Sequence, residues 1–89
     1  MSSTAAPAAI SIPQSLAECR VEVLADDTRL VLAPEPDRDG REVRLASWRW
    51  DAAEHWWRGF WSEQWHFCAH EQDVRDALDA DLRAGFVTV

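Results

Sequence analysis

His66, Cys68 and His70 alternate with Phe67 and Ala69. On a strand, those three side chains leave one face and form a three-ligand set with an open coordination position, the arrangement of a catalytic zinc. On a helix the trio breaks up, and only His66 and His70 stay on one side, with His55 coming round to the same face. Neither spacing matches a common zinc pattern and no CxxC pair exists, so the trio is a weak metal candidate, and no metal or cofactor is expected. Partly buried, hydrogen-bonded His beside an inert thiol is the competing reading. Cys68 or a Ser as nucleophile would need a His and an orienting acid in three dimensions, which sequence neighbours do not supply. Only three Gly occur and none forms a phosphate loop. The carboxylate pair Asp76 and Asp79 reads as the solvated side of a helix. The expectation is a protein that is not an enzyme.

The stronger chemical signal is aromatic. All six Trp fall between Trp48 and Trp65, in the run WRWDAAEHWWRGFWSEQWHFCAH. Such a cluster serves as a stacking platform, a cage for a cation, a hot spot for a protein partner, or simply as the core of a small domain. Base stacking fits poorly, because single-strand binders set aromatics in a positive groove, and here Arg49 and Arg58 stand against Asp51, Glu54 and Glu63. Adjacent Trp56 and Trp57 cannot both point inward from a helix, so some indoles should stay exposed.

Nine basic residues against 16 acidic ones leave a net charge of -7. That balance disfavours nucleic acid and anionic membranes and complements a basic macromolecule. Every basic residue is Arg, which reads as GC-rich coding, although Arg also suits bidentate and stacked contacts. Two cysteines, Cys19 and Cys68, are too few for the framework of a small secreted domain. The N-terminus lacks the basic and apolar regions of a secretory signal, and no stretch has the length of a membrane span. These features point to a cytoplasmic protein with reduced thiols, of bacterial or phage type.

The elements that must position these groups follow from periodicity. Residues 1–17 carry no charge and are rich in Ala, Ser and Pro, which predicts a flexible tail ahead of one α+β domain over residues 18–89. Val21 and Val23 alternate with Arg20 and Glu22, Asp26 and Asp27 supply a turn, and TRLVLA returns, predicting a hairpin. EPDRDG is a loop closed by Gly40. Residues 41–50 alternate again with bulk on both faces by the end, as in a central strand. Asp51 and Glu54 have capping-box form and predict a helix from Ala52. Two readings of its end stand open. It runs to His70, or, preferably, it stops at Arg58 with Gly59 past its end, and Trp61 to Ala69 form a strand with Trp61, Trp65, Phe67 and Ala69 on one face. From Gln72 to Ala84 the apolar stripe Val74, Ala77, Leu78 and Leu82 faces away from Asp73, Asp76, Asp79 and Arg83, predicting an amphipathic acidic helix stopped by Gly85. Residues 86–89 fit a short last strand.

The fold expected is therefore α+β: a small antiparallel sheet of three to four strands, a short aromatic helix and a C-terminal acidic amphipathic helix. The function expected is that of a binding or inhibitor protein that occludes a basic macromolecular partner, such as one that binds nucleic acid. Trp56, Trp57 and Trp61 would anchor it, Arg58 would make a bidentate contact, and Asp73, Asp76 and Asp79 would compete for cationic residues. Anti-CRISPR and toxin-immunity proteins are functional analogies on size and charge. The alternatives are a small-molecule or glycan-binding module with an exposed Trp platform, and an accessory subunit or homo-oligomer joined through the Trp patch.

Overall fold

The computed structural model describes residues 12–34 and 40–88. Five strands form one antiparallel sheet in sequence order: β1 (Arg20–Val23), β2 (Arg29–Pro34), β3 (Glu42–Asp51), β4 (Trp56–Trp61) and β5 (Gln64–Cys68). One helix, α1 (Glu71–Ala84), follows. The α+β class, the first hairpin, the central third strand and the C-terminal helix match the pattern expected from periodicity. The sheet has five strands where three to four were expected. Most of the loop before Gly40 lies outside the described residues, and so do residues 1–11 of the N-terminal segment. The ordered domain starts earlier than residue 18. Leu16–Glu18 form a 3₁₀ turn, the Leu16 amide donates to Asp79 Oδ1 at 2.8 Å, and Ile12 and Leu16 pack against the core.

β2 and β3 pair with a slip. Val31 lies opposite Ala46, but Leu32 lies opposite Arg44, so Leu45 is an extra residue on β3. This bulge shifts the alternation by one. Val43 then shares the core side with Ala46 and Trp48, and both Leu45 and Ala46 are buried. Strict alternation would place Val43 and Trp48 on opposite faces.

The short aromatic helix does not exist. Asp51 does act as a cap, with Oδ1 accepting the amides of Ala53 and Glu54, and the His55 amide donates to the Asp51 carbonyl. One turn later His55 takes φ 58° and the chain reverses into β4. The spacing of Trp56, Trp57, Phe60 and Trp61 suits a helical face and a two-sided strand equally. Pairing with β3 decides for the strand, because each face then finds a neighbour. Gly59 is therefore no helix stop. A Cβ there would sit 2.7 Å from the Trp61 ring and 3.1 Å from Val74 Cγ1, so Gly59 is where α1 and Trp61 close over the sheet. Ser62 and Glu63 form a two-residue turn with φ 52° and 59°, so β5 starts at Gln64 and Trp61 belongs to the preceding strand. Residues 86–88 form no strand, although Val87 is buried.

α1 covers one face of the sheet. Val74, Leu78 and Leu82 are buried against Val31, Ala33, Leu45, Trp48 and Trp61. Gly85 ends the helix at φ 76°. The two buried indoles are satisfied by the helix's own carboxylates: Trp48 Nε1 donates to Glu71 Oε2 and Trp61 Nε1 to Asp81 Oδ2, each at 2.8 Å. No helix among the described residues is long and apolar enough to cross a membrane.

Candidate docking face

Because α1 covers one side, every second residue of β3 to β5 faces the other, uncovered side. Cross-strand register groups Arg58 with Arg49 and Phe67, and Phe60 with Ser47 and Trp65. Trp56 completes the set. The Phe60 and Trp65 rings lie 4.7 Å apart, as do Trp56 and Phe67, and Trp65 and Phe67 stack at 6.5 Å and 17°. Arg58 Cζ sits 4.5 Å over the Trp65 ring while Nη1 reaches Asp51 Oδ2 at 3.1 Å. The guanidinium is thus held between the ring and the carboxylate by cation–π attraction and charge together. Trp65 and Phe67 remain 54% and 48% exposed. Trp56 Nε1 and Arg58 Nε are shielded from solvent without a hydrogen-bond partner among the described residues.

The two sides differ in charge. On the open side, Arg20 is neutralised by Glu42 at 2.6 Å and Arg58 by Asp51, while Arg44 and Arg49 form no ion pair among the described residues. The Thr28 amide, helped by the Arg49 charge, holds the Asp26 carboxyl below its usual range. The covered side ends in the acidic surface of α1. Asp79 accepts from Arg83 Nε at 2.7 Å and from the Leu16 amide, which keep its carboxyl below the ordinary range. Asp76 accepts from Gln72.

The residues expected to form one site therefore fall into three places. Trp56 and Arg58 share the open face. Trp57 lies on the helix side, half-buried, with Arg29 at 5.4 Å over its ring and Trp50 beside it, and Trp61 is 2% exposed in the core. Asp73, Asp76 and Asp79 belong to α1, on the far side of the sheet from Arg58. Phe60, Trp65 and Phe67 were not singled out as anchors. Their i, i+2 spacing was visible, but their exposure depends on which face the helix covers.

The His and Cys residues play other parts. His66 stacks on Trp61 at 3.7 Å and 8°, and burial pushes its pKa down against a weaker upward pull from Asp81. Burial raises both thiols, with Glu18 and Asp79 adding at Cys19 and Asp73 at Cys68, and neither is in a disulfide. His70 is off the strand, at the N-cap of α1. No group of three potential ligands able to hold a metal forms among the described residues. Ser62 Oγ donates to the Phe86 carbonyl and accepts from the Thr88 amide, a structural role. What the open face offers chemically is stacking, apolar contact and planar cationic recognition.

No protein-family model matches the chain, and neither a curated protein nor a solved structure matches it.

Proposed function

We propose that this is a non-enzymatic binding protein that docks on a macromolecular partner through the open face of its sheet and occludes it. Trp56, Arg58, Trp65 and Phe67 act as anchors. The observation that carries this reading is the pre-set, half-exposed pair Trp65 and Phe67 with Arg58 over the Trp65 ring. Rigid aromatics around an oriented guanidinium are what interface hot spots consist of, and ordering them in advance lowers the entropy cost of association. The net charge of -7 favours approach of a basic partner at long range, whereas Arg44, Arg49 and Arg58 on the face itself call for acceptor or acidic groups at the contact. The acidic helix contributes to that field and not to the contact.

Affinity capture with Trp65→Ser/Phe67→Thr and with Asp73→Arg/Asp76→Arg, at low and high salt, tests the reading. Loss with the face variant, and only a weaker, salt-sensitive change with the helix variant, supports it. Capture that survives the face variant but not the helix variant overturns it.

A small-molecule or glycan platform is the second reading. It is favoured by a depression of about 200 Å³ bordered by Asp26, Thr28, Arg49, Arg58 and Trp65. Its size argues for the macromolecular reading, since small-molecule sites usually enclose about 300–1,000 Å³. A saturable, salt-insensitive shift in Trp fluorescence with a monosaccharide would reverse that preference.

A further inference from the structure

β5 is an edge strand. Among the described residues no segment pairs with its outer side, and neither Trp65 nor Phe67 makes a backbone hydrogen bond outside the sheet pairing. The Ser62–Glu63 turn sets which groups point outward. Across a two-residue turn the flanking residues, here Trp61 and Gln64, exchange both backbone bonds, and such pairs then alternate along the ladder. Gln64, His66 and Cys68 therefore direct their N–H and C=O groups to β4. Trp65 and Phe67 direct theirs to the free edge.

The two edges of the sheet are built differently. β1 carries Arg20 and Glu22, charges of the kind that keep an edge from pairing with another chain. Residues 64–69, QWHFCA, contain no charge in a chain with 25 charged residues, and no Pro. The unguarded edge also matches itself. In an antiparallel pair centred on His66, Trp65 lies opposite Phe67 of the copy and Phe67 opposite Trp65, so the outward donors and acceptors of one strand meet those of the other. Trp–Phe pairs then form across the axis on the open face, where both rings are exposed.

We propose that two copies of the chain join through β5, antiparallel about a two-fold axis at His66, to make one continuous sheet twice the width of the single one. The contact consists of a five-residue strand and its aromatic side chains. It is small beside the about 1,200–2,000 Å² of a stable interface, and the net charge opposes it, so the dimer is reversible and dissociates on dilution. The pairing uses the backbone edge and brings the Trp65 and Phe67 rings of the two copies together on the open face. Its hydrogen bonds come from the outward backbone of β5, which the docking reading does not use, and it would present two anchor sets side by side.

Sedimentation of the full chain over a concentration series, with amide exchange at both ends of the series, tests the proposal. The expected mass rises from 10.1 kDa to twice that value. The Trp65 and Phe67 amides should exchange at least about tenfold more slowly in the concentrated sample, since only the dimer bonds them. Phe67→Pro removes one outward donor without touching a bond to β4, whereas Phe67→Thr keeps it. The Thr variant, which loses only the ring contact, should associate more weakly than the unmodified chain, and the Pro variant should associate more weakly still. A mass of 10.1 kDa throughout, free exchange of both amides within a dimer, or a Pro variant that associates as strongly as the Thr variant overturns the proposal. If the Pro variant fails to fold, exchange in the unmodified chain decides. A monomer that still captures its partner rejects the dimer alone; a dimer that captures nothing rejects the docking reading alone.

Discussion

The Trp61 indole N–H donates to Asp81 Oδ2 at 2.8 Å, joining β4 to the C-terminal part of α1 as Trp48 and Glu71 join β3 to its first turn. The helix is clipped to the sheet at both ends. A carboxylate near a helix C-terminus opposes the macrodipole, so Asp81 is explained by the indole it satisfies. Two of the helix's acidic residues thus hold the core's largest side chains.

Asp81→Ala leaves a buried indole N–H without an acceptor and should cost about 1–3 kcal/mol. Asp81→Asn keeps an oxygen in place and should cost clearly less. Urea midpoints of the two variants measure the difference, and equal midpoints would show that the clip contributes nothing.

Gly59→Ala places a methyl 2.7 Å from the Trp61 ring and 3.1 Å from Val74. Both neighbours are fully packed, so overpacking should cost about 1–3 kcal/mol. For a domain of this size that lowers Tm by roughly 4–8 °C per kcal/mol. An unchanged melting curve would mean that α1 can lift away freely.

Glu63→Gly should stabilise the protein. Glu63 holds φ 59° in a turn whose geometry favours Gly at that position. Relief of the left-handed backbone outweighs the added freedom of the unfolded chain, for a gain on the order of 1 kcal/mol. Thermal melts should show a higher midpoint with unchanged cooperativity. A lower midpoint would mean that the Glu63 side chain makes a contact worth more than the backbone strain.

Acid should weaken the fold in two stages. Burial holds His66 below its ordinary value of 6.5, so the unfolded imidazole takes up a proton first and stability falls as pH drops below that value. Asp79 is held below the ordinary carboxylate value by Arg83 and the Leu16 amide. Its contribution is complete above the unfolded pKa and is lost as pH falls through the folded one. His66→Gln should flatten the first stage and leave the second, read from urea midpoints between about pH 7.5 and 3. An NMR titration placing His66 above its ordinary value would contradict the first stage.

Local sequence carried β1, β2, β3 and α1, because each has one dominant period and recognisable stops: two alternating Val, the Asp26–Asp27 turn, and the stripe Val74, Leu78 and Leu82 ended by Gly85. Residues 52–68 were different. Their aromatic spacing satisfies two periods at once, and the left-handed residues His55, Ser62 and Glu63 carry none of the Gly signals that mark tight turns. Only pairing with β3 resolves them, since a strand needs a partner before its two faces mean anything. The bulge at Leu45 is equally non-local, visible only against β2. For the docking face, composition and charge were enough to single out an aromatic cluster with Arg58 in an acidic chain. Which aromatics stay in solvent was decided by α1, which covers Trp48 and Trp61 and leaves Trp65 and Phe67 uncovered. A side chain's exposure is a property of what packs over it, and here that element comes later in the chain than every Trp.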